Sequence, residues 1–170
     1  MNKHYIMKIS SRFASKRRFR CQLNKRLGLN IHSKTLDIYR LAFTHGSSNL
    51  QDKLGHPLNF ERLEFLGDAI INLIVIQEIH TRFHSSTIKE SSELKTKLNS
   101  RKHLNQMGEK MKLMEFIQIG ESHPKFGDDI HGNLVESLIG AIFADLGYEK
   151  CKDYYLQILK KYSTIPFKIY

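Results

Sequence analysis

Residues 60–83, FERLEFLGDAIINLIVIQEIHTRF, restrict the fold more than any other stretch. Apolar residues recur there at helical spacing, which predicts one long, largely buried helix from about Phe60 to Phe83. Glu61, Glu64 and Asp68 interrupt its first half. On a helix turning about 100° per residue, all three lie within about 60° of Glu64, and Asn72 within about 80°. The rest of the cylinder is mostly Leu, Ile, Val, Phe or Ala, so this strip borders buried surface. Like charges at this spacing repel by roughly 0.2–0.5 kcal/mol per pair. Something must offset that.

A second apolar helix is predicted at 133–146, NLVESLIGAIFADL. Taking Asn133 as zero, Glu136 falls at about −60°, Gly140 at about −20°, Ala144 at about 20° and Ser137 at about 40°. That side is polar or small, and the other side carries Leu134, Leu138, Ile139 and Ile142. Gly140 and Gly67 both allow a neighbouring backbone to come close. If the two strips face each other, Glu64, Asp68, Asn133 and Glu136 converge into an oxygen-only cage. Oxygen donors without sulfur or imidazole suit Mg²⁺, with Mn²⁺ as a substitute. Such an ion would offset the repulsion and serve phosphodiester hydrolysis. The plainer reading is two ordinary helices with acids on their rims.

The remaining segments are also helical or looped. LDIYRLAF (36–43) has helical spacing, and THGSSNLQDKLGHPLN reads as a loop. Residues 84–117 read as two polar amphipathic helices broken near 99–102, followed by the loop GESHPKFGDDIHG. A last amphipathic helix opens after Gly147, and STIPFKIY is a tail expected to fray. No convincing hairpin occurs, so the expected class is all-α. The 170 residues favour one domain, and 41% hydrophobic residues suffice for a core. No apolar run approaches the ~18 residues of a membrane span. Two isolated cysteines, Cys21 and Cys151, exclude a zinc ribbon and fit a reducing compartment. His80 and His84 sit four apart, but no acid or cysteine flanks them closely enough to suggest a metal site.

The net charge of +10 is unevenly placed. Residues 1–36 hold ten of the 27 basic residues and no acid, which leaves 17 basic and 17 acidic residues for a formally neutral body. Residues 1–29 are therefore read as a basic arm, 30–162 as the domain and 163–170 as the tail. The arm points to a polyanion, nucleic acid before an anionic membrane, with Arg17, Arg18, Arg20, Lys25 and Arg26 as expected RNA-binding residues. A solubilising tail and a mitochondrial presequence are the alternatives. The presequence would place the protein in the mitochondrion rather than the cytoplasm.

NFERLEFLGDAII resembles the hallmark segment of the ribonuclease III family, unbroken from Glu61 to Ala69. LAFTHGSSN (41–49) is similar to the family's upstream A-L-T-H-R-S segment, with Gly46 where Arg is usual. GNLVESLIGAIFADLGY (132–148) resembles its downstream D-x-x-E-A segment. The resemblance spans about residues 30–160. It implies the all-α ribonuclease III endonuclease fold and a homodimer that cuts double-stranded RNA with Mg²⁺, in ribosomal and other precursors, leaving 5′-phosphate and 3′-hydroxyl ends. By the same resemblance, Glu64 and Asp68 are metal ligands and Asp68 and Glu136 catalytic carboxylates. Glu61 and Glu90 are supporting acids, and Phe65 is an aromatic of the dimer interface, its plainer reading being a core residue. Asn133 stands where most members have Asp, which keeps an oxygen donor but loses a charge. Bacterial-type members usually continue into a double-stranded-RNA-binding domain. This sequence stops short of one, so the basic arm is expected to supply part of the RNA contact. The rival reading is an inactive ribonuclease III-like protein that grips RNA, favoured by Asn133. A helical metal bundle unrelated to RNA would need Glu-x-x-His pairs, and the sequence has none.

Overall fold

The computed structural model describes residues 15–120 and 124–165. The outer arm (1–14), three residues of the predicted loop (121–123) and the end of the tail (166–170) lie outside the described residues, and so does most of the expected fraying. Among the described residues the α-helices are α1 (Lys16–Leu27), α2 (Leu36–Ala42), α3 (Glu61–Arg82), α4 (Ile88–Leu98), α5 (Arg101–Met111), α6 (Ile130–Leu146) and α7 (Tyr148–Tyr162). Two short 3₁₀ turns and two isolated β-bridges complete the regular structure. The all-α class is as expected. No described helix is long and apolar enough to cross a membrane.

The local signals explain the helix boundaries. Thr87 and Glu90 close a capping box at the start of α4. Ser100 caps α5 by accepting from the His103 amide at 3.3 Å. α6 begins at Ile130, three residues before the sequence expectation.

Among the described helices, α3 and α6 pack together most extensively. They approach until backbone meets backbone. A Cβ added at Gly67 would lie 1.8 Å from the Glu136 carbonyl oxygen, and one at Gly140 would lie 2.1 Å from that of Leu63. Around this crossing the core gathers Leu63, Ile71, Ile74 and Val75 from α3 and Leu134, Leu138, Ile139 and Ile142 from α6. Glu78, further along α3, is buried but paired with Arg82 on its own helix and with Lys152 of α7 at 3.0 Å. Ser137 donates to the Ala42 carbonyl at 2.7 Å, which ties α6 to α2.

The inner half of the basic arm is not an arm. Residues 16–27 form α1, closed by Gly28 in the left-handed conformation (φ 67°). Phe19, Leu23 and Leu27 are buried. Phe19 meets Phe43 and Phe116 edge-on, with centroids 6.3 and 6.2 Å apart. Three apolar residues at i, i+4 and i+8 carry this helix onto the body. The density of positive charge around them hid that stripe in the sequence.

Gly67→Ala is expected to destabilise the fold by about 2–4 kcal/mol, because a rigid backbone must move to admit one methyl group. Gly127→Ala, where an added Cβ meets nothing within 4 Å, should stay within about 0.5 kcal/mol. Urea denaturation compares them. Equal, small losses would rule out the backbone contact.

Candidate functional site

The crossing of α3 and α6 opens at one end into a cavity of about 320 Å³. Its walls carry Glu61, Glu64 and Asp68 of α3 and Asn133 and Glu136 of α6. The two strips read from the sequence do face each other. Asn72 does not join them, because its side-chain oxygen accepts from Asn99 at 3.0 Å. Phe65 stands at the cavity rim and is 83% exposed, so it is not a core residue.

Three side chains that sequence reading missed organise the α6 wall. Asp129 accepts from Arg101 at 2.7 Å and from Asn105 at 3.2 Å. Asn105 also accepts from the Gly132 amide at 2.7 Å, which holds the first turn of α6 against α5. The Asn133 amide in turn donates to the Asp129 carbonyl at 3.0 Å. The early start of α6 was the missing signal: on the helix wheel Asp129 lies about 40° from Asn133. Arg101 lines the same cavity and is the cation closest in effect to the acids. It counteracts the upward shifts of both Glu64 and Glu136.

The electrostatics follow from burial. Burial pushes the Glu136 carboxyl up to about 7, and repulsion from Asp68 and Glu64 adds to this. Burial raises Glu64 as well, followed by repulsion from Glu61. Among the described residues no group of three His, Cys, Asp or Glu stands close enough to hold a metal ion. The expected cage is therefore an open pocket with carboxylates on facing walls. Such a pocket still fits Mg²⁺, which keeps several waters and binds through one or two carboxylates. Two facing acidic walls and an Asn oxygen supply donors for an ion held partly through water.

Glu90 lies elsewhere. Its carboxylate accepts from the Thr87 amide and hydroxyl, both at 2.8 Å. Those bonds hold it below the usual carboxylate range. It lines a separate cavity of about 340 Å³ with Phe83, Ser86 and Leu94. The T-x-x-E signature at 87–90 is a capping box, and within this chain it keeps Glu90 out of the acidic pocket. Of the expected RNA-binding residues, Arg17, Arg18, Lys25 and Arg26 are exposed on α1 and Arg20 is half-buried. Gly46, where an Arg is usual, stands beside Glu61: an added Cβ would lie 3.6 Å from its carboxylate.

An all-helical domain with an oxygen-lined pocket at a close helix crossing is the class that fold and site define. The chain belongs to the ribonuclease III family: the Ribonuclease-III-like family model matches residues 36–162. It is 36% identical over 158 residues to ribonuclease 3 of Zunongwangia profunda, covering 92% of this chain and 64% of that enzyme. It is 35% identical over 164 residues to ribonuclease 3 of Flavobacterium psychrophilum, covering 95% and 66%. The chain thus spans just under two thirds of the length of these relatives. The nuclease domain of ribonuclease III from Campylobacter jejuni superposes with a TM-score of 0.72 at 27% identity, covering 85% of this chain and 98% of that one. That domain shows structural flexibility in a region involved in dimer formation. Dicer from Pichia stipitis shares the fold alone, with a TM-score of 0.57 at 21% identity, over 74% of this chain and 54% of that one.

The raised Glu136 carboxyl has a signature in stability. It binds its proton up to about 7 when folded, against 4.5 as its ordinary value, so the folded state holds more protons in that window. Stability then falls as pH rises from about 4.5 to about 7. Glu136→Gln is expected to gain roughly 1–2 kcal/mol on wild type between pH 5 and pH 8, after discounting for partial exposure. Urea denaturation in EDTA at both pH values measures this. A pH-independent difference would contradict the burial.

Proposed function

We propose that this chain is a metal-dependent endoribonuclease that hydrolyses phosphodiester bonds of double-stranded RNA, leaving 5′-phosphate and 3′-hydroxyl ends. The convergence of Glu64 and Asp68 with Asn133 and Glu136 in one cavity carries this reading. Family membership supports it, and RNA precursors, ribosomal among them, are the proposed substrates. Glu64, Asp68, Asn133 and Glu136 would hold Mg²⁺, or Mn²⁺ in its place, directly or through water. When bound, the ion supplies charge that polarises phosphoryl oxygens, activates water and stabilises the leaving oxygen.

The chain's own groups do the rest. Without an ion, burial keeps the Glu136 carboxyl protonated up to about 7, and a bound cation would favour its ionised, ligating form. Glu64 and Asp68 present acceptor oxygens from α3. Arg101, fixed on Asp129, presents N–H donors at the pocket to a phosphate oxygen. Asn133 contributes an oxygen without a charge, which lowers affinity for the ion relative to an Asp.

The unit of function is a homodimer in this reading. Phe65, Ala69, Leu73 and Ile76 fall within about 80° of one another on α3. All four are exposed, Phe65 at 83%, Leu73 at 50% and Ile76 at 44%. An exposed apolar stripe beside a pocket marks an association surface.

Purified protein should cut a labelled RNA duplex with Mg²⁺ and not with EDTA, and Glu136→Ala should lower the rate by about 10²–10⁴-fold. Asn133→Asp should reach half-maximal rate at lower Mg²⁺. Binding without cutting would replace this reading with that of an RNA-gripping relative. Sedimentation should give a dimer for wild type and a monomer for Phe65→Glu, and an unchanged mass would remove the stripe from the interface.

A further inference from the structure

The geometry points to a second RNA-contact site, a basic groove between α1 and the end of α7 that seats the phosphate backbone of duplex RNA. The identity of the polyanion rests on the nuclease reading above; the groove rests on its own residues. It is a cavity of about 390 Å³ lined by Gln22, Lys25, Arg26, Glu115, Phe116, Lys161 and Tyr162. None of these lines the acidic pocket. The two sites sit at opposite ends of α5. Arg101, its first residue, lines the pocket. Lys110, near its last, donates to the Tyr162 carbonyl at 3.1 Å and fixes the groove wall.

The lining is suited to phosphate. Lys25 and Lys161 are exposed and form no ion pair among the described residues. Lys161 lies over the Tyr162 ring, with its ammonium 5.0 Å from the centroid, and this contact holds the charge at the groove edge. Gln22 adds amide donors. Arg26 is held by Glu115 at 2.7 Å, so one of the groove's cations is neutralised by one acid. Two unpaired ammonium groups on an open rim suit a polymer that offers several phosphates in succession, because each neutralised phosphate adds to affinity through counterion release.

The groove also divides the basic helix. With Phe19 as reference, Arg26 lies at about −20°, Gln22 at about −60°, Arg18 at about −100° and Lys25 at about −120°. Arg20 and Arg17 lie on the other side, at about 100° and 160°. The five arm residues expected to bind RNA are therefore not equivalent. Arg18, Lys25 and Arg26 share the groove side, and Arg17 and Arg20 do not.

This asymmetry sets the experiment. Binding of a labelled RNA duplex is measured in EDTA, where cleavage plays no part, for Lys25→Gln with Lys161→Gln and for Arg17→Gln with Arg20→Gln. Both doubles remove two positive charges from exposed or half-exposed positions, and thermal melting checks that each is folded. The lysine pair should weaken binding by about ten-fold or more and lower the slope of log affinity against log salt by about 2. The arginine pair should weaken it by less than about three-fold, and Glu115→Gln, which frees Arg26, should tighten it several-fold. Equal losses for the two doubles, or an unchanged slope for the lysine pair, would overturn the groove. A protein that fails to cut RNA but shows this asymmetry would remove the nuclease reading and leave the groove standing.

Discussion

The backbone contact between α3 and α6 is the constraint on which the rest depends. Two helices normally pack with axes about 8–10 Å apart because side chains stand between them. Here Gly67 meets the Glu136 carbonyl and Gly140 meets that of Leu63. The residues at the crossing are also those that carry or adjoin the acids. Glu64 follows Leu63, Asp68 follows Gly67, and Glu136 offers its own carbonyl to the contact. A change that separates the helices therefore also moves the two acidic walls of the pocket apart. The acids are placed by a backbone-to-backbone helix contact, not by a loop.

That placement costs stability. Burial raises Glu136 and Glu64, and the neighbouring carboxylates raise them further. The cost is tolerated because the surrounding frame is rigid and well satisfied. Asn105 bonds the first turn of α6, Asp129 receives both Arg101 and Asn105, and the backbone of Asn133 is tied to Asp129. A strained or electrostatically costly group persists where its surroundings over-determine it, and such groups cluster at functional sites.

The sequence made the frame legible and left its fastenings obscure. α3 was readable because its apolar period is long and its acids share one strip. Glu64, Asp68, Asn133 and Glu136 could be paired because both strips held small residues beside the polar ones. α1 was not readable as a packed helix, because six charges surround its three apolar anchors. Arg101, Asn105 and Asp129 were missed for a different reason. Arg101 and Asp129 stand at helix ends, Asn105 lies within α5, and all three act across sequence gaps of 24–28 residues, which no local period reveals. Glu90 does not reach the acidic pocket of its own chain, because Thr87 holds it in a capping box at the start of α4.

The two charged regions of the chain answer one physical problem. At an effective dielectric constant of about 20, a phosphate about 4 Å from one carboxylate is opposed by about 4 kcal/mol. A pocket holding Glu61, Glu64, Asp68 and Glu136, softened by Arg101 alone, repels the backbone it is proposed to cut. Proton uptake by Glu136 relieves part of this, and a divalent ion relieves more. Neither supplies affinity for the polymer away from the scissile bond. Within this chain, α1 is suited to supply that attraction, as the one described helix that is strongly basic and acid-free. Its apolar stripe is then more than an anchor. By fixing α1 against Phe43 and Phe116, it converts a diffuse positive segment into charges with defined positions. Charge held in place loses less entropy on binding than charge on a free tail, which suits the same lysines and arginines to the proposed contact with a rigid duplex.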